Sequence, residues 1–357
     1  HDMIPAPASC GCQRRADQAA GLVPTPGRED GVSQPAIEEQ FEPAAPVSAE
    51  VARARSSWEL FRVRFTRDKA AVVGAIMIAV LVLLALAAPL FARLTGHGPN
   101  ELFQNEMLDQ TFGLPKGPNG EFWFGADKVG RDLFVRVMYG ARTSLTVALV
   151  ATGLATIVGV CLGMLAGYRG GVTDTLISRA ADIVLSMPIL LFAIGIATVC
   201  SVTAEGCLGG LLQPGLSLVI GIIAIFTWPN MARLVRGQVL SLREREFVEA
   251  ARSLGARGGR IMFRELLPNL VAPIVVYATL IIPNNIIFEA ALSFLGVGVP
   301  QTTPSWGRML SDASSGQIFT VAWWMMLFPG LFLLFTTLSF NLVGDGLRDA
   351  LGPSERS

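Results

Sequence analysis

Apolar residues gather along this chain in six long stretches, at about 71–94, 143–168, 182–204, 216–235, 270–298 and 320–344, and charged or turn-forming residues return between them. Most stretches approach the roughly 20 residues that a helix needs to cross the hydrocarbon of a bilayer. The pattern predicts an all-α integral membrane protein with six transmembrane helices. Pro188, Pro229, Pro283 and Pro329 fall inside these runs and predict local kinks. In the second run Gly159, Gly163 and Gly167 recur every fourth residue, with Gly153 above them, which predicts a face where another helix approaches closely.

The chain ahead of the first run reads differently. Residues 1–56 carry no sustained apolar run, and the first 50 hold seven prolines among Gly, Ser, Gln and Glu, the composition of a disordered tail. That tail lacks the apolar core of a cleaved signal peptide, and His1-Asp2 before Met3 reads as an added remnant. Over 57–70, Trp58, Phe61 and Phe65 recur at helical spacing among Arg62, Arg64, Arg67 and Lys69. This predicts a basic amphipathic helix lying on a membrane face; the alternative is a solvated linker.

Composition agrees with a bilayer environment. Charged residues make up 16% of the chain, against about a quarter in soluble domains. Formal net charge is zero, so the distribution of charge is the informative quantity. Six spans place both termini on one side, and the segments on that side at 50–70, 169–181, 233–268 and after 344 hold eighteen Lys and Arg against six on the other side. By the positive-inside rule both termini are cytoplasmic, which makes 95–141 an extracytoplasmic segment and 346–357 a second cytoplasmic tail. Nothing in the chain points to nucleic acid.

The cysteines, Cys10, Cys12, Cys161, Cys200 and Cys207, are too scattered for a metal site or a disulfide framework. Cys200 and Cys207 either bridge, if their segment faces an oxidising exterior, or stay as small thiols. Catalysis has little to stand on: the histidines are His1 and His97, and no HExxH or GxSxG occurs. Lys69, Lys116 and Lys128 follow Asp, Pro and Asp, so the chain lacks the Gly-Lys pair of a phosphate-binding loop.

The long connection between the fourth and fifth runs, 245–268, carries the strongest functional signal. Phe247, Ala250, Ala251 and Leu254 read as one helical face, opposite Glu246, Glu249, Arg252 and Ser253. Gly255 supplies a tight corner, and Ile261, Phe263, Leu266 and Leu267 form a second apolar patch before Pro268 redirects the chain. Glu249-Ala250-Ala251, then Gly255, then Leu267-Pro268 resembles the EAA loop of ABC importer permeases. Glu265 stands where that family usually has an apolar residue, and Leu266 takes its place.

The resemblance extends over about 55–353. Phe124-Gly-Ala-Asp127-Lys-Val-Gly130-Arg131-Asp132, Tyr139-Gly-Ala-Arg142, Glu289-Ala-Ala-Leu-Ser-Phe-Leu-Gly296 and Pro304-Ser-Trp306-Gly307 look like C-type permeases of the dipeptide/oligopeptide/nickel family. It implies a type I, MetI-like permease fold, with a five-helix core over 142–345 following a first span at 71–94. It also implies a non-catalytic subunit paired with a B-type permease, two ATP-binding cassette ATPases and an extracytoplasmic binding protein in a bacterial plasma membrane. ATP and Mg would bind in the ATPases and no cofactor in this chain. Glu249, Ala250, Ala251, Gly255, Leu267 and Pro268 would couple to the ATPase. The implied cargo is short peptides, with chelated nickel or another small solute as the alternative.

Intramembrane and interfacial acids are the remaining candidates. Asp182, Glu205, Glu289 and Asp345 lie in or near the runs. Glu289, close to Asn285, either lines a pathway or makes an interhelical hydrogen bond. Trp306 sits either at a translocation mouth or as an interfacial anchor. Asp182 and Asp345 read as helix caps or partners of arginines. A proton-coupled secondary transporter is the rival reading; it predicts an inverted repeat and leaves the EAA-like loop unexplained.

Overall fold

The computed structural model describes residues 57–202, 207, 213 and 215–352, so the expectations for the 1–56 tail and for Glu205 lie outside the described residues. Among those residues the elements are helices, joined by turns with isolated antiparallel bridges at Leu108–Pro115 and Ala126–Asp132.

Helix α1 (Ser57–Arg67) comes first, with Phe61 and Phe65 stacked at 5.9 Å and Arg62, Arg64 and Arg67 exposed. Asp68 ends it and caps α2 (Lys69–Thr95), its carboxylate accepting from the Ala70 N–H at 2.9 Å. Gly96, in the left-handed region at φ 75°, terminates α2. After the short α3 (Gln104–Met107), α4 (Leu133–Arg169) begins some ten residues before the apolar run predicted. Asp132 fixes that start by accepting from the Phe134 and Val135 N–H groups. The early turns of α4 are buried by packing rather than by lipid, which is why a hydropathy reading misses them.

The third stretch departs most from expectation. It is two helices, α5 (Gly171–Ser186) and α6 (Ile189–Val202), bent by 88° at Met187-Pro188. Proline disfavours helical backbone in the residue before it, and Met187 is extended at ψ 138°. Neither half alone spans a bilayer, since 14–16 residues rise only about 21–24 Å. Pro229, Pro283 and Pro329 sit inside helices that run on past them: α7 (Leu216–Leu242), α10 (Leu267–Phe294) and α12 (Trp324–Leu351). Between α7 and α10 lie α8 (Glu246–Ser253) and the single turn α9 (Gly258–Arg260), and α11 (Trp306–Ser314) precedes α12. Among the described residues five helical stretches are long and apolar enough to cross a membrane, or six if α5 and α6 count as one broken span. Because α12 runs to Leu351, residues 346–351 belong to that helix rather than to a tail.

The glycine stripe of α4 holds α7. A Cβ added at Gly159 would lie 2.7 Å from Met231 Cβ, one at Gly163 2.9 Å from Val235 Cβ, and one at Gly167 2.8 Å from Val239 Cβ. These are sub-van-der-Waals approaches that only hydrogen permits. Gly153 faces open space and takes no part. Beyond this seam, Cys200 and Cys207 are joined as a disulfide, which pins the end of α6 to the connection leading to α7.

Candidate functional site

The connection after α7 is built from one buried anchor and one exposed face. Val248 is fully buried and packs in a cluster with Val239, Ile261 and Leu266, while Ala251 and Ala256 lie against its edge. Phe247, Ala250 and Leu254 share the outer side with Glu249, and Leu254 is 89% exposed. The single apolar face expected for α8 is therefore split: Val248 and Ala251 point inward, and Phe247, Ala250 and Leu254 point outward. Val248 escaped notice because it lies outside the motif, although its spacing of three from Ala251 marks it.

Gly255 closes α8 as the motif implies. Its φ is +77°, the Ala256 N–H donates to the Ala251 carbonyl at 3.0 Å, and the Gly255 N–H donates to the Arg252 carbonyl at 2.9 Å. This reverse turn satisfies carbonyls that the helix end would leave open. The corner rests on α4: the Arg252 guanidinium lies 5.8 Å from the Tyr168 ring centroid, and a Cβ at Gly258 would reach 3.0 Å from Tyr168 Cε1. Arg243 Nη1 donates to the Gly167 carbonyl at 3.1 Å, tying the start of the loop to the same helix end.

Pro268 does not end a helix. The chain stays helical from Gly258 to Phe294, with Ile261–Leu266 widened into a π-helix and the Leu267 N–H bonded to the Met262 carbonyl. A proline lacks an N–H and clashes with the carbonyl four residues back, and a wider turn relieves both. Leu266 is fully buried and Glu265 only partly, so Leu266 does supply the apolar contact. Leu267 is half-buried and Pro268 exposed.

Inside the bundle the polar groups of α10 bond its neighbours. Glu289 has no exposed surface; Ser144 Oγ of α4 donates to it at 2.9 Å and Ser293 Oγ at 2.8 Å. Asn285 Nδ2 donates to Thr152 Oγ1 of α4 at 2.8 Å, and Thr227 Oγ1 of α7 donates to Asn285 Oδ1 at 3.2 Å. Of the two readings kept for Glu289, the geometry is that of the interhelical hydrogen bond. Trp306 requires a correction: it sits neither at a mouth nor at an interface but is fully buried, donating from Nε1 to the Val137 carbonyl at 3.1 Å. Gly140 makes room for it, since a Cβ there would come within 3.1 Å of the indole. Asp182 pairs with Arg233 at 2.6 Å, as its position implied, whereas Asp345 is exposed on α12 with no ion pair among the described residues. A cavity of about 210 Å³ lies where α6, α7 and α10 meet, lined in part by Asn230, Tyr277, Asn284 and Asn285.

On the opposite side from α8, residues 96–132 form an ordered cap. Asp127 pairs with Arg131 at 2.6 Å and lies 3.5 Å from Arg136, while Asp312 of α11 pairs with Lys128 at 2.8 Å. Arg136, 1% exposed, also donates to the Pro99 and Gln301 carbonyls. His97 Nδ1 lies 2.7 Å from Asp132, and its ring stacks on Phe122 at 4.4 Å. At the tip of the cap, the Thr111 N–H and then the Phe112 N–H hold the Asp109 carboxyl below the usual carboxylate range.

Long apolar helices, one of them broken, joined by a helical corner between α7 and α10, define a polytopic membrane protein. The chain belongs to the binding-protein-dependent transport system inner membrane component family, which it matches over residues 159–357, and it matches the N-terminal transmembrane domain of oligopeptide transport permease C over 56–110. Among curated relatives, the dipeptide transport system permease protein DppC of Alkalihalophilus pseudofirmus is 42% identical, covering 88% of this chain and 96% of its own. The oligopeptide transport system permease protein OppC of Bacillus subtilis is 39% identical over 88% of this chain and 97% of its own. The glutathione transport system permease protein GsiD of Pectobacterium atrosepticum is 36% identical over 85% of this chain and 93% of its own. The protein is thus a non-catalytic, multi-pass permease subunit of an ATP-driven importer, and its family works with ATPase and binding-protein partners.

Proposed function

We propose that this chain pairs with a paralogous B-type permease to form the pathway through which a binding protein delivers short peptides for uptake. Two ATP-binding cassette ATPases supply the drive, holding ATP and Mg themselves. The observation that carries the coupling is the outer face of α8. Phe247, Ala250 and Leu254 stand exposed on a helix whose inner side is anchored by Val248 and whose corner is locked by Gly255. An exposed apolar patch rimmed by polar residues marks a contact surface, and Glu249 at the rim adds a charge for a cationic partner. Val248, Ile261 and Leu266 form one packed path from this face to α10, and Asn285 and Glu289 bond α10 to α4 and α7. Displacement of α8 by a closing ATPase then moves α10 and its bonded helices together rather than α10 alone.

Peptide cargo rests on the likeness to dipeptide, oligopeptide and glutathione permeases. Cytoplasmic termini rest on the excess of Lys and Arg on their side and on the Cys200–Cys207 disulfide, which falls on the opposite side, where oxidation persists. The test is reconstitution of the four-subunit complex in vesicles with the peptide-loaded binding protein. ATP-dependent accumulation of peptide is the expected result. Accumulation driven by a proton gradient without ATP contradicts the proposal.

A further inference from the structure

The cavity between α6, α7 and α10 has a chemistry that the coupling mechanism does not use. Asn230 lies near the middle of α7 and Asn284 well inside α10; both are exposed, both line the cavity, and neither amide has a hydrogen-bond partner among the described residues. An unbonded amide facing lipid is costly, so such groups in a spanning helix face a wet cavity or a partner. Asn285, beside them, is spent on Thr152 and Thr227 and so fixes the wall from behind. The helix break at Met187-Pro188 adds a second observation. Ile189, directly after it, lines the same cavity, and irregular backbone at membrane depth is tolerated only where protein or a water-filled space covers it. Arg233, three residues beyond Asn230, is bound to Asp182, so the paired charges lie toward the α8 side of the cavity while no charged residue lines it.

We infer that Asn230 and Asn284 form a peptide main-chain binding site in the translocation pathway. Each amide offers both a donor and an acceptor, the complement of a peptide unit. A lining without charged residues offers no ion pair to either sign of side chain, so the amides grip the backbone and the site does not discriminate cargo by the sign of its charge. This inference rests on the proposed peptide-import function.

The test uses the full complex with two readouts. In vesicles, N230L/N284L lowers ATP-driven uptake of Ala-Ala, Lys-Ala and Glu-Ala by a similar factor, about tenfold or more for two lost hydrogen-bonding groups, with subunit assembly intact. In a chain carrying Cys10→Ser, Cys12→Ser and Cys161→Ala, the N284C thiol reacts with a polar thiol reagent. The V275C thiol, about two and a half turns away on the opposite side of α10, does not. Wild-type uptake by the double variant, or equal reactivity at both positions, overturns the inference, and a loss confined to one cargo charge overturns main-chain recognition. If the unaltered complex takes up no peptide with ATP, the importer reading fails first, and this inference with it.

Discussion

The cap at 96–132 and the loop at 243–266 are both connections between spans, yet they are finished in opposite ways. The cap's polar groups are consumed within the scaffold: Asp127 pairs with Arg131 and lies beside Arg136 of α4, Lys128 pairs with Asp312 of α11, His97 pairs with Asp132, and Trp324 of α12 donates to the Ala126 carbonyl at 3.1 Å. The loop is tied down along one line, through Val248, Tyr168 and Gly167, and leaves Phe247, Leu254 and Phe263 in the open. A segment that satisfies itself holds the scaffold. A segment that is anchored on one side and apolar on the other is waiting for a second protein.

Six substitutions sharpen this contrast. The largest loss of stability falls in the cap: R136A removes the hydrogen bonds to the Pro99 and Gln301 carbonyls and empties a site where the side chain is 1% exposed, and a large-to-small change of that kind costs about 2–5 kcal/mol. Thermal unfolding of the purified complex measures it. G163A comes next. Its Cβ would sit 2.5 Å from the Ala232 carbonyl oxygen, and forcing α4 from α7 costs about 1–3 kcal/mol. G153A, with nothing within 4 Å, leaves the melting temperature unchanged or slightly raised. A similar cost at both positions would mean that the stripe does not carry the seam.

G255A is smaller in stability and larger in function. The space around Gly255 is open, so the cost is the left-handed conformation alone, about 1–2 kcal/mol, and the measurable effect is weaker retention of the ATPase on co-purification. L254S and F247S have the least effect on folding, within about 0.5 kcal/mol, as is usual for exposed sites. Both should nevertheless abolish most ATP-driven uptake. Stability and transport thus rank these variants in opposite orders, and a common order would dissolve the distinction between the two segments.

What the sequence made legible follows the same division. The spans were visible because lipid selects composition directly, and the loop because its glycine and small residues recur at a spacing tied to one shape. The start of α4 was hidden because Arg136 reads as an exposed charge until Pro99, Gln301 and Asp127 are seen to surround it. The break of α5 from α6 was half legible: Pro188 announced a kink but not its size of 88°, and the ties of α5 to α7, Asp174 with Arg236 and Asp182 with Arg233, join residues far apart in the chain. Trp306 was misplaced for a similar reason. An aromatic beside a span resembles an anchor in any linear reading, and only the pocket left by Gly140 shows that it is core.

The claim on which the account turns is that the outer face of α8 is the docking surface for an ATPase. A photoreactive residue placed at position 254 in the assembled complex tests it directly. Cross-linking to the ATPase subunit that strengthens or weakens with ATP is the predicted result. Cross-links confined to lipid or to this chain, in a complex that still imports peptide, would contradict it.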